Sequence, residues 1–492
     1  MKVRNLVFSF ASFVSLFLCG LALNSPAQEV IPAPGSAKSV NIPAVQEKRL
    51  KNGLTVAVIE KTSVPIVTST LLVRSGASAE ASTKAGLANL TASMLTKGTK
   101  TRTAEQIAEQ MEFLGGSIGS NAGWNGSSVT ISVTSDKLDQ AMAIMSDVVL
   151  NPVFKQEELD LLKSQTLDDL KYNLTQPGYV ATYVASRYSF GEHPAGGTPA
   201  SIEALSRADI QSFYGKAFKP DNAVLIFAGD ISLAKATAIA ENLFGKWPAS
   251  VPETGPGIGS SAGSGGEQPV IKRMLVVDLP KSGQASVNYF KPIATVGRGS
   301  NEYYTASVLN SVLGGGYSSR LNQEIRIKRG LSYGAGSSFT WRGDGTNFGA
   351  RTQTKNESAA EVAELVVAEL RRLADGITAD AELNPRKLVL IGGFGRNLEA
   401  TGGLVSALSD MYSFGLPATE LNKYLAGVTG VGVADIKAFA GKYLNKGDMI
   451  IVGDYSVFKD DLAKRFPNMK IDVVKIDELN IESPTLRKSD VP

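Results

Sequence analysis

Residues able to do chemistry are few in this chain. The one histidine, His193, stands in Gly191-Glu192-His193-Pro194, and the one cysteine, Cys19, lies in an apolar stretch near the N-terminus. A tetrahedral zinc site of nitrogen and sulfur ligands has no ligand set to draw on, and carboxylates alone would favour harder cations. His193 therefore reads as an ordinary loop residue. The run Leu313-Gly314-Gly315-Gly316-Tyr317-Ser318-Ser319-Arg320-Leu321 is a glycine-rich turn into a helix. Its glycines allow positive φ and close approach of another segment. No Lys-Ser/Thr pair follows in the phosphate-cradling position, so it is not a nucleotide loop; a plain tight helix start is the alternative. Just beyond it, Arg326 and Tyr333 stand seven residues apart with Lys328 and Arg329 between them. Composition alone makes that stretch a solvated basic patch.

The elements that must carry these residues come in two copies. Tyr188-Ser189-Phe190-Gly191 recurs as Tyr412-Ser413-Phe414-Gly415, and the strand-like run Val224 to Asp230, ending Ala-Gly-Asp, recurs as Met449 to Asp454, ending Val-Gly-Asp, with both matched endings 224 residues on. Between these pairs, Ala208-Asp209-Ile210 and Gly215-Lys216 match Ala434-Asp435-Ile436 and Gly441-Lys442 at an offset of 226. An ordered series of this kind marks a duplication. Val251 to Gln268, crowded with Gly, Ser and Pro, reads as the linker between the copies. Val129, Ile131 and Val133 alternate as in a half-buried strand; Leu138, Met142, Met145 and Val149 then form a helix face, with its counterpart at Val362, Leu365, Val366 and Leu370. Strands covered by helices in mixed order give an α+β class.

At 492 residues the chain exceeds one ordinary core, and 43% hydrophobic with 20% charged residues is a globular composition. A net charge of +3 without a basic arm gives no footing for nucleic acid. Lys2 and Arg4 precede an apolar run from Leu6 to Leu23, and Ser25-Pro26-Ala27 offers small residues for cleavage. The expectation is an exported, periplasmic protein with no stable membrane insertion once the signal is cleaved; uncleaved, the run would act as an anchor. Leu18 is too bulky for a lipid-attachment site at Cys19, so the mature chain would contain no thiol. The expected organisation is a signal peptide over 1–27, an N-terminal segment over 28–44, a first half over 45–250, a linker over 251–268, a second half over 269–475 and a C-terminal tail over 476–492.

One helix makes a family resemblance specific. The stretch Thr83 to Leu95 is expected to be helical, capped by Ser82 or Thr83 and ended by Gly98. It reads Gly86-Leu87-Ala88, then Asn89-Leu90-Thr91-Ala92-Ser93, then Met94 and Lys97-Gly98-Thr99. This frame resembles the M16 (insulinase-like, pitrilysin-like) zinc peptidases, whose active members carry His-x-x-Glu-His between the same flanks. There, two imidazoles one turn apart grip Zn²⁺ and the carboxylate takes a proton from bound water. Asn89 and Ser93 are poor zinc ligands, Ala92 cannot act as a base, and Asp169, aligned with the family's third ligand, is one methylene shorter than glutamate.

The resemblance implies two homologous halves, each of one or two sheet-plus-helix domains, closing as a clamshell around a cavity. It implies no zinc in this chain and a peptide-cleaving role only beside an M16 subunit with an intact His-x-x-Glu-His motif that holds the Zn²⁺. The glycine-rich run is similar to the M16B pattern Leu-Gly-Gly-Gly-x-x-Ser-Arg-Leu, which implies substrate handling by Gly314, Gly315 and Gly316. Arg326 and Tyr333 match the family's Arg/Tyr pair, implying that the guanidinium holds substrate backbone and the phenol stabilises the oxyanion, a role worth on the order of 3 kcal/mol. Gly115 to Ala122 falls where relatives pair an unfolded peptide with an edge strand, implying contacts at Asn121 and Ala122, although Gly123-Trp124-Asn125-Gly126 departs from the usual pattern. A purely structural or peptide-binding pseudopeptidase is the alternative.

Overall fold

The computed structural model describes residues 41–249, 270–343, 345–376 and 379–488. The expected signal peptide and the Gly/Ser/Pro-rich linker lie outside the described residues. No helix among the described residues is long and apolar enough to cross a membrane.

Two six-stranded sheets of matching topology form the frame. The first contains β1 (Gln46–Arg49), β2 (Thr55–Glu60), β3 (Ile66–Val73), β4 (Ser117–Ala122), β5 (Ser127–Thr134) and β6 (Ala223–Gly229), in the order β1-β2-β6-β3-β5-β4. The second contains β7 (Ile271–Asp278), β8 (Ala285–Ile293), β9 (Ala335–Arg342), β10 (Gly345–Thr354), β11 (Gly447–Gly453) and β12 (Ile471–Lys475), in the order β12-β7-β11-β8-β10-β9. The copies differ at one edge: β1 runs antiparallel to β2, whereas β12 runs parallel to β7. Of the two options the resemblance left open, one sheet per half is the one found.

Each sheet has a helix-covered face. Val129, Ile131 and Val133 of β5 point into a core shared with Leu138, Met142, Met145 and Val149 of the helix Leu138–Leu150. Val362, Val366 and Leu370 of the helix Ala359–Asp375 do the same on the second sheet. The opposite faces are covered by exchange. The helix Pro177–Tyr188 of the first half packs on β8 and β11, and the helix Thr401–Ser413 of the second half packs on β3 and β6. Val180, Ala181, Val184 and Ala185 meet Leu275, Val277, Phe290, Ile450 and Val452. Burying Val180 and Val184 alone contributes about 3–6 kcal/mol, at about 1.5–3 kcal/mol per side chain.

The exchange explains why β6 and β11 are buried throughout and almost wholly apolar, with Asp448 of β11, paired to Arg273 at 2.6 Å, as the one charge: a strand covered on both faces has no solvated side to present. The repeated Tyr-Ser-Phe-Gly motifs are the exits of the two exchanged helices. Gly191 and Gly415 turn the chain there in left-handed geometry, at φ +69° and +66°. Beyond β12 the C-terminal segment stays attached, with Leu486 in the core beside Val184 and Thr198 Oγ1 donating to Glu482 Oε1 at 2.6 Å.

Candidate functional site

The helix bearing the motif positions begins later than its sequence suggests. A short 3-10 turn spans Ser82–Lys84, Gly86 takes φ +91°, and the α-helix runs Leu87–Leu95. Neither Ser82 nor Thr83 caps it, and Thr96 rather than Gly98 closes it. The cap is Glu80, whose side chain is 0% exposed. Its Oε1 accepts from Gly86 N at 2.8 Å and its Oε2 from Ala88 N at 2.6 Å, so a carboxylate satisfies two free amides at the positive end of the helix. His193 Nε2 lies 3.0 Å from Glu80 Oε1, which places a proton on Nε2 because a carboxylate only accepts.

His193 is therefore more than an ordinary loop residue. Its ring packs against Trp124 at 5.2 Å, the Arg342 guanidinium lies 3.9 Å over Trp124, and Arg342 pairs with Glu192 at 2.8 Å. Gly343 N donates to Asn125 Oδ1 at 2.9 Å. The departure at Gly123-Trp124-Asn125-Gly126 thus has a structural use: the β4–β5 turn docks on the β9–β10 turn of the other half. Glu80 and Arg342 were not identifiable from the sequence. Glu80 lies six residues before Gly86, outside the usual capping spacing, and nothing in the chain's order pairs Arg342 with Trp124.

The motif positions do not fit zinc. Asn89 Nδ2 donates to Ala195 O at 2.8 Å, so the amide is already engaged. Ala92 is a fully buried methyl group, and Ser93 is half-buried one turn beyond Asn89. Asp169 is exposed on the neighbouring helix Gln156–Asn173. Among the described residues no group of three or more His, Cys, Asp or Glu is arranged to hold a metal ion.

In the second half the glycine-rich loop uses close approach rather than positive φ. Gly314 has φ −151°, and neither Gly315 nor Gly316 adopts the left-handed region. A Cβ on Gly314 would come within 2.1 Å of Ser337 N, because the loop lies directly against β9; at Gly316 it would meet only the Arg386 guanidinium, at an ordinary contact distance of 3.9 Å. The chain then enters a short helix, Arg320–Asn322, and a π-turn, Gln323–Ile327, a geometry frequent at functional sites. Arg320 anchors the turn by a two-pronged pair with Glu382 at 2.8 and 2.7 Å.

Arg326 sits on the π-turn with its guanidinium 4.9 Å over the Tyr317 ring. Tyr333 occupies a different setting, in the bend before β9, 89% exposed and without a hydrogen bond to any described residue. It lines a cavity of about 410 Å³ between β8, β10 and the exchanged helix Pro177–Tyr188. The sequence-matched pair is thus not in mutual contact. In the first half, Asn121 and Ala122 end β4, which is indeed the free edge of its sheet; Asn121 Oδ1 accepts from Ser128 Oγ at 2.6 Å.

Two family descriptions match the chain: "Insulinase (Peptidase family M16)" over residues 55–186 and "Peptidase M16 inactive domain" over residues 204–384. The chain belongs to the M16 peptidase family. An uncharacterized zinc protease of Mycobacterium leprae is 28% identical over 384 residues, covering 75% of this chain and 83% of the relative. One from Bacillus subtilis is 25% identical over 364 residues, covering 72% and 85%. Among solved structures, a peptidase M16 inactive domain from Pseudomonas fluorescens superposes with a TM-score of 0.73 at 26% identity, covering 83% of this chain and 98% of its own. A protease from Helicobacter pylori superposes with a TM-score of 0.75 at 19% identity, covering 84% and 100%, which speaks for the fold alone. The two sheet-plus-helix halves are therefore an M16 peptidase scaffold, in a chain whose own motif helix has no ligand set for the metal.

Proposed function

We propose that this chain is the non-zinc-binding subunit of a two-chain M16B-type metallopeptidase, exported to the bacterial periplasm, and that it closes the peptide cavity of a partner bearing His-x-x-Glu-His. The observation that carries this reading is Tyr333: a phenol left exposed at a polar cavity, with its hydroxyl uncommitted, in a chain whose Asn89, Ala92 and Ser93 cannot bind zinc. A phenol whose only role was folding would bury its ring, which Tyr333 does not. The partner's zinc would supply the Lewis acid and the activated water. The work of this chain is binding and hydrogen bonding. The free edge of β4 offers main-chain groups to an unfolded peptide without demanding a sequence, the Tyr333 hydroxyl donates to the scissile carbonyl oxygen as charge builds there, and the Arg326 fork holds a neighbouring carbonyl. The stacking of Arg326 on Tyr317 favours the second reading, a purely structural pseudopeptidase.

Reconstitution with the zinc-bearing partner separates the two. Tyr333→Phe should lower kcat about 10²–10³-fold, the range for losing one oxyanion donor, with KM and assembly little changed. Arg326→Ala should raise KM as well. Unchanged turnover in both variants, with complex formation verified by sedimentation, would leave the scaffold reading in possession.

A further inference from the structure

The cavity behind Tyr333 carries a positive charge that the fold itself does not use. Arg351 and Gln353 project from β10 on the exposed side of the strand, whereas Ala350, Thr352 and Thr354 are buried. Register sets Arg351 opposite Asn288 and Gln353 opposite Ser286 on β8, and Arg351 opposite Gly336 on β9. The result is a polar floor with no side chain on the β9 side of Arg351. Gly349 leaves the room that the Arg351 side chain occupies: a Cβ there would come within 3.2 Å of Arg351 Nε and of the Phe290 ring.

Arg351 makes no hydrogen bond or ion pair with any described residue, and its closest aromatic partner is Phe290, 5.4 Å from the guanidinium. The cavity is lined by amides, hydroxyls and backbone, with Tyr333 on one side and Thr182 of the exchanged helix on another, and no Asp or Glu is among the lining residues. A guanidinium among neutral donors, with no carboxylate supplied by the protein, is a receptor for a carboxylate supplied by a ligand, since the planar fork matches that group bidentately.

We infer that Arg351 binds a carboxylate of the peptide held by this chain, so that the cavity behind Tyr333 selects peptides by an acidic side chain or by their C-terminus. This rests on the peptide-handling reading above and adds the class of peptide. Tyr333 at the same cavity would then face the neighbouring backbone, and the carboxylate would fix how far that backbone lies from the phenol. Arg351 acts as a specificity-determining residue and takes no part in bond breaking.

The test is fluorescence anisotropy on the full chain with one fluorescein-labelled Ala/Ser peptide in four forms: amidated, free C-terminal carboxylate, amidated with one internal Glu, and amidated with one internal Lys. Carboxylate-bearing forms should bind about tenfold more tightly than the neutral amide, a difference of about 1.4 kcal/mol. That preference should shrink with salt and vanish in Arg351→Gln, with Arg351→Lys keeping part of it. The free-terminus and internal-Glu forms report which source of carboxylate is preferred. Equal binding of all four peptides, or a preference that survives in Arg351→Gln, would overturn the inference and leave peptide handling standing. Binding of none would overturn both. Arg351 is exposed, so Arg351→Gln should melt like the parent chain.

Discussion

Replacing Glu80 by Gln tests whether the motif helix depends on a buried carboxylate placed outside the helix. Three groups converge on Glu80: the Gly86 and Ala88 amides and the His193 ring, at 2.8, 2.6 and 3.0 Å. Gln keeps the shape and one acceptor, but its amino group must face a donor, leaving at least one buried N–H unsatisfied. A hydrogen bond to a charged group is worth about 1.5–3 kcal/mol, and the donor it leaves behind is buried, so Glu80→Gln should destabilise by about 2–3 kcal/mol. Glu80→Ala should cost at least as much. Urea unfolding followed by circular dichroism reads the total, and amide exchange over Leu87–Leu95 should rise more than exchange over β11, which has no contact with this cap. A change below about 1 kcal/mol, with exchange of the helix unaltered, would refute the capping argument, because an ordinary surface substitution does no more than that.

Two other outcomes follow. After dialysis against zinc and metal analysis, the full chain should retain no stoichiometric metal, because the Asn89 amide is engaged by Ala195 and Ala92 carries no donor; one tight equivalent abolished by Asp169→Ala would contradict this. Asp209, hydrogen-bonded first by Lys84 and then by Ser206, has its carboxyl lowered to about 2 from an ordinary 3.8. Its stabilising effect is full above about pH 4 and is lost as pH falls toward 2, so Asp209→Asn should flatten the acid limb of a stability–pH profile across that window while lowering stability at neutral pH.

Much of the architecture was written in repeats and periodicity. The offsets of 224 and 226 predicted equivalent strands and helices, and β6 and β11, like the two exchanged helices with their Gly191 and Gly415 turns, occupy equivalent places. The faces at Leu138, Met142, Met145 and Val149 and at Val362, Val366 and Leu370 announced burial, but periodicity says only that a face packs and cannot name the sheet that receives it, so the exchange of the helices Pro177–Tyr188 and Thr401–Ser413 was invisible. Gly314 to Gly316 advertised a special backbone, and the choice between positive φ and close approach depended on β9 coming alongside. Glu80 and His193 were separated by more than a hundred residues of chain, so their contact left no local pattern. Arg351 left only a faint trace, a charge and an amide alternating with the buried positions of β10.

The exchanged helices give the duplication a topological meaning. Each half lends a helix and receives one, so the chain is a covalently joined counterpart of a swapped two-fold dimer, in which identical protomers would satisfy the same contacts by symmetry. The two loans have since become unequal. The helix Thr401–Ser413 lies over the apolar strand β6 and beside Thr68 and Thr70 of β3, a mixed surface, whereas the helix Pro177–Tyr188 covers the apolar Leu275, Val277, Phe290, Ile450 and Val452. Neither half could therefore stand alone without baring an apolar strand, β6 in one and β11 in the other, and the threonines beside the helix Thr401–Ser413 make the first half's side the one more open to remodelling.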